Sequence, residues 1–193
     1  RFRRSKGQYL NVTQSFLDDN SPAHTVSMWF KPASLPKHGT GDRCFLLEST
    51  AQGEASDKQA WHLSLGLRAT ADPSKVNLQL YTVTLQPAGS PGAAPKQISQ
   101  GPFDFLVNRE QLRDRWNHVA FTFDSESLRL FLNGNVAASH LLPVKGPAAE
   151  FGGLVIGGHR AGTGRNFDGW IDEIAIWQRL LDQDEIQGLS KLA

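Results

Sequence analysis

The chain has 193 residues, 39% of them hydrophobic, with five Trp and eleven Phe, a content that sets aside a disordered polypeptide. Twenty basic and 19 acidic residues leave a net charge of +1, which excludes the broad basic footprint of a nucleic-acid binder. Cys44 is alone, which excludes an intrachain disulfide, and no apolar run reaches the ~20 residues needed to span a bilayer.

Taken in chain order, the basic start Arg1-Phe-Arg-Arg-Ser-Lys6 reads as a solvated strand edge. The chain begins abruptly there with no leader, so we expect a domain excised from a larger protein. Alternation and β-branched or aromatic content predict strands over residues 8–12, 24–31, 44–49, 61–67 and 76–85. Cys44 lies in the third of these and is expected to be a buried, inert thiol. Residues 86–101 carry Pro87, Pro91 and Pro95 with Gly89, Gly92 and Gly101. They break every period and are expected to form a surface loop insertion, with at most a short strand at 96–99.

The second half predicts strands over 118–124, 128–132, 136–141, 153–158 and 169–177. Asn133-Gly134 tolerates the positive φ of a type I′ turn and predicts a tight hairpin. In the last strand Ile171, Ile174 and Ile176 cannot share one face at period two, so a bulge is expected near Asp172-Glu173. Asp182-Gln-Asp-Glu185 opens a short terminal helix with Asp182 as cap and Glu185 reaching back. Ten short strands and one helix predict an all-β antiparallel two-sheet sandwich, a single domain over 1–193.

The chemistry is sparse. There is no Gly-x-Ser-x-Gly elbow, phosphate loop or His-Glu-x-x-His, and the six His residues show no zinc spacing. Strand carboxylates at i and i+2 or i+4 share one face, as a glycosidase pair requires, yet Glu173-Ile-Ala-Ile-Trp177 has Ala175 and Trp177 at those positions. Glu48 and Glu54 straddle a turn-like stretch. No catalytic residue is assigned, and the chain is expected not to be an enzyme. Trp29, Tyr81 and Phe131 fall opposite the apolar positions of their strands, so they either line an open sheet face for a glycan or lie under loops covering that face. The latter arrangement is favoured. The loop with Arg160, Arg165 and Asn166 and the loop 86–101 are the other recognition surfaces.

Trp116-Asn-His-Val-Ala-Phe-Thr-Phe, Leu128-Arg-Leu-Phe-Leu-Asn-Gly134, Gly169-Trp-Ile-Asp-Glu-Ile-Ala-Ile-Trp177 and Asp184-Glu-Ile follow one another in an order that resembles the laminin G-like, concanavalin A-like sandwich family. Thr25-Val-Ser-Met-Trp-Phe-Lys31 resembles its early core strand. The resemblance implies a jelly roll that serves as a non-catalytic module for carbohydrate or protein recognition. It implies a setting in a larger, extracytoplasmic or cell-surface bacterial protein, with neighbouring domains of the same chain as further partners and no membrane insertion. It also implies calcium, for which Asp168 and Asp172 are the acids on offer, although no acidic cluster backs them and Arg3, Arg4 and Lys6 stand nearby in the first strand. A spacer domain without a ligand is the alternative, and a glycoside-active relative is disfavoured by the missing acids.

Overall fold

The structure is a computed structural model that describes residues 1–13, 22–50, 63–90, 94–149, 152–159 and 164–191. Its strands are β1 (Leu10–Val12), β2 (His24–Pro32), β3 (Arg43–Thr50), β4 (Leu63–Ala69), β5 (Lys75–Gln86) and β6 (Lys96–Asn108). After a single helical turn, α1 (Arg109–Leu112), come β7 (Asn117–Phe123), β8 (Ser127–Leu132), β9 (Asn135–Leu141), β10 (Gly153–Ile156), β11 (Gly169–Trp177) and α2 (Gln183–Leu189). All named pairings are antiparallel. One sheet runs β1-β10-β3-β4-β5-β6 and the other β11-β2-β7-β8-β9.

Alternating apolar residues of both sheets meet in one core. Val26, Met28 and Phe30 of β2 and Val119, Phe121 and Phe123 of β7 join Leu63, Leu65 and Leu67 of β4 and Val76, Leu78 and Leu80 of β5. Each such side chain contributes ~1.5–3 kcal/mol relative to exposure, which is why the period-two pattern fixes the register. Cys44 is buried among them.

Local signals in the second half become local structure. Asn133 (φ 50°) and Gly134 (φ 78°) make the tight turn between β8 and β9. The β11 register slips between Asp172 and Ala175, with Glu173 at φ 49°, and this extra residue lets Ile171, Ile174 and Ile176 all pack on the core. At α2, the Glu185 amide donates to Asp182 Oδ1 and the Asp182 amide donates to Glu185 Oε2, both at 2.9 Å. Ile186 and Leu181 then seat the helix on Ala120 and Phe131, on the outer side of the five-stranded sheet. Asp182→Ala is expected to cost about 1 kcal/mol in urea unfolding. A loss under a few tenths would show that α2 is held by packing alone.

Two expectations are corrected. The basic start is a strand edge only at Phe2, which bridges Gly169: Arg4–Lys6 forms a 3-10 turn, and the Arg4 guanidinium pairs with the Asp42 carboxylate. The loop 86–101 stops short of Lys96, where β6 begins, 13 residues long. Gly101-Pro102 breaks the alternation because two residues there oppose Tyr81 alone, so each half of the strand reads as a fragment. β6 is the terminal strand of its sheet, where a proline is tolerated. The fourth strand begins at Leu63, and positions 61 and 62 of its predicted span lie outside the described residues.

Candidate functional site

The outer face of the six-stranded sheet is polar, and a bulge creates it. β3 slips register between Phe45 and Leu47, so Cys44, Leu46 and Leu47 all enter the core. Phe45 and Glu48 are thereby turned outward. Pairing then lays down three cross-strand rows: Glu48, Ser64 and Tyr81; Phe45, Gly66, Gln79 and Asp104; Arg43, Arg68, Asn77 and Leu106. Gly66 is required here, since a Cβ would strike the Cys44 carbonyl and come within 3.0 Å of the Phe45 ring.

Glu48 is only 2% exposed. Ser64 Oγ donates to its Oε1 at 3.1 Å, and His159 Nε2 stands 4.0 Å from its Oε2. The His159 ring lies against Phe45, with centroids 5.2 Å apart. Arg165 Nη1 is 3.5 Å from His159 Nε2, and its backbone is held to β3 where the Phe45 amide donates to the Arg165 carbonyl at 3.1 Å. Gln79 Nε2 donates to Asp104. Burial lowers the Arg43 pKa, and the neighbouring cations Arg165 and Arg68 lower it further, while Tyr81 and Glu48 act in the opposite sense.

Among the described residues this arrangement has neither the order of a nucleophilic triad nor the spacing of a glycosidase acid pair. A nucleophilic triad places the imidazole between hydroxyl and carboxylate, whereas here the carboxylate of Glu48 lies between Ser64 and His159. The described strands of this face carry two acids, Glu48 on β3 and Asp104 on β6. Three strand spacings separate them by about 14 Å, against ~5 Å for a retaining pair and ~6.5–9.5 Å for an inverting pair. Burial pushes the Cys44 thiol up to about 12, so it stays protonated in the core.

The residues marked in the sequence are dispersed. Tyr81 and Arg165 belong to the polar face. Asn166 is buried and donates to the Gln8 carbonyl at 3.1 Å, bracing the loop to the chain start. Arg160 lies outside the described residues. Trp29 and Phe131 are on the other sheet, 8% and 2% exposed, so they form no surface with Tyr81. Phe131 packs under α2, and Trp29 packs on His118, its cross-strand partner.

Asp168 accepts from Ser34 Oγ at 2.9 Å, just past the end of β2, and Asp172 Oδ1 accepts from the Glu173 amide at 2.9 Å at the β11 bulge, so each carboxylate is already engaged. Four residues of extended chain hold them about 13 Å apart, too far to share one ion. Among the described residues no three His, Cys, Asp or Glu side chains gather to hold a metal.

Sequence reasoning missed Arg43, Glu48, Ser64, Arg68 and His159. The alternation Ser64-Leu-Gly-Leu-Arg68 marks the outward side of β4, but the opposition of Arg43 and Arg68 depends on a register that no local signal carries.

Residues 4–187 match the family model of the concanavalin A-like lectin/glucanases superfamily, laminin G type 3, and the chain belongs to that family. Among solved structures it is similar to the native heptameric SAP-like pentraxin from Limulus polyphemus, with 17% identity and TM-score 0.60 over 94% of this chain and 75% of that one. It is also similar to the binding domain of botulinum neurotoxin serotype G, with 11% identity and TM-score 0.58 over 95% of this chain and 42% of that one. The chain thus spans under half of that toxin domain. At these identities the likeness defines the fold. A comparison with curated proteins found no match.

Proposed function

We propose that this domain is a non-catalytic module that binds carbohydrate on the outer face of its six-stranded sheet, as part of a larger extracytoplasmic protein. The observation that carries the reading is the polar face itself: the half-buried Arg43, Tyr81 and Arg165 and the exposed Asp104 offer hydrogen-bonding groups around a buried layer of Glu48, Ser64 and Gln79, while the two acids on its described strands stand too far apart for hydrolysis. Family membership supports the lectin side of the assignment. The pentraxin and the toxin binding domain are consistent with a recognition role on this scaffold. Among the described residues no helix is long and apolar enough to cross a membrane.

A glycan array followed by native affinity electrophoresis tests this. At least one glycan is expected to retard the protein, Tyr81→Ala is expected to weaken that retardation about tenfold, and no reducing ends should be released on prolonged incubation. Failure to bind any glycan, or release of reducing ends, would overturn the reading.

A further inference from the structure

Among the described residues the polar face holds more positive charge than it neutralises. Arg43 and Arg68 are direct cross-strand partners, a placement that repels. Arg165 adds a third guanidinium close enough to lower the Arg43 pKa together with Arg68. Among the described residues none of the three forms an ion pair, whereas Arg4, Arg113 and Arg179 elsewhere each have an acid partner. In the same row, Asn77 Oδ1 is buried with no hydrogen-bond donor among the described residues. Like charges gathered at a stability cost, beside an acceptor with no donor, describe a surface that is complete only when occupied.

We propose that Arg43, Arg68 and Arg165 select a saccharide bearing an anionic substituent, a carboxylate or a sulfate ester, with Asn77 Oδ1 accepting from one of its hydroxyls. The proposal rests on the carbohydrate-binding reading above and narrows it. A guanidinium fork presents paired N–H donors that match the two oxygens of either anion, and on a half-buried face such charge-assisted bonds are stronger than neutral ones. The cross-strand spacing of ~4.8 Å between β3 and β4 lets Arg43 and Arg68 close on one group from two sides.

The test is isothermal titration with matched probes: oligogalacturonate against its fully methyl-esterified form, and dextran sulfate against dextran. At least one charged member is expected to bind about tenfold or more tightly than its neutral counterpart, and the preferred pair distinguishes carboxylate from sulfate. Arg43→Gln and Arg165→Gln are each expected to weaken that binding about tenfold while leaving Tm unchanged or raised, because each relieves repulsion. A short DNA duplex serves as control. Equal affinity for charged and neutral members would overturn the charge selection and leave the carbohydrate reading intact. Binding of the duplex as tightly as the preferred saccharide would overturn selection of a saccharide. No binding on the whole array would overturn both.

Discussion

Phe121→Ala is expected to destabilise the domain by about 3–5 kcal/mol. Phe121 is fully buried and sits on β7 between β2 and β8, opposite Val26 on one side and Leu130 on the other. It also meets the edge of the His24 ring, with centroids 5.8 Å apart. Truncation removes the ring from the middle of a sheet whose neighbours are fixed on both sides, so the cavity cannot collapse. Against a typical stability of ~5–15 kcal/mol this is about a fifth or more of the total, and a chain of this size should lose roughly 10 °C in Tm. Leu141→Ala, at a residue 80% exposed on β9, provides the contrast and should stay within about 0.5 kcal/mol. Similar losses in the two variants would show that β7 does not organise the core.

Acidification should produce the second large effect. Burial lowers the His24 pKa to about 3, where the imidazole stacks on Phe123 with centroids 4.9 Å apart. Burial lowers His118 to about 4. Because each pKa is lower in the folded than in the unfolded chain, the unfolded state binds the proton first. The stability is fully present above ~6.5, the unfolded value, and is lost as pH falls toward the folded values. For His24 the loss between pH 7 and pH 4 is about 3 kcal/mol. Asp42 beside Arg4 and Glu185 beside Arg179 are carboxylates held low by their partners, so they lose stability in the same direction at lower pH. A variant therefore isolates the histidine: His24→Leu should reduce the drop between pH 7 and pH 4 in urea unfolding by that amount. An unchanged drop would show that His24 does not set the acid limb.

How much of this was legible in the sequence depended on whether the controlling signal was local. The Asn133-Gly134 turn, the Asp182 cap and the β11 bulge each arise within a few residues, and each was readable from turn chemistry, capping pattern or a phase conflict among isoleucines. β6 was not, because the residues that shape it, Gly101 and Pro102, are those that signal a loop. The candidate site was harder still. Its central carboxylate, Glu48, is aimed outward by a β3 bulge that an unbroken apolar run, Cys44-Phe-Leu-Leu47, conceals. Its arginines stand 25 positions apart in the case of Arg43 and Arg68, and only strand register brings them face to face. The outward placement of Tyr81 was legible because period two within a single strand suffices, whereas Trp29 and Phe131 passed the same test and were then covered from outside, Phe131 by the packing of α2.

The interruption of β6 has a consequence for how these molecules behave in company. A terminal strand 13 residues long would ordinarily offer a neighbouring chain a full ladder of unpaired amides and carbonyls on which to grow. Pro102 withholds one of those amides, the two-against-one step at Tyr81 bends the line, and the charges of Lys96 and Asp104 flank it. An incoming strand finds only two short stretches out of line with each other. The longest of the described strands is thereby a poor template for lateral assembly.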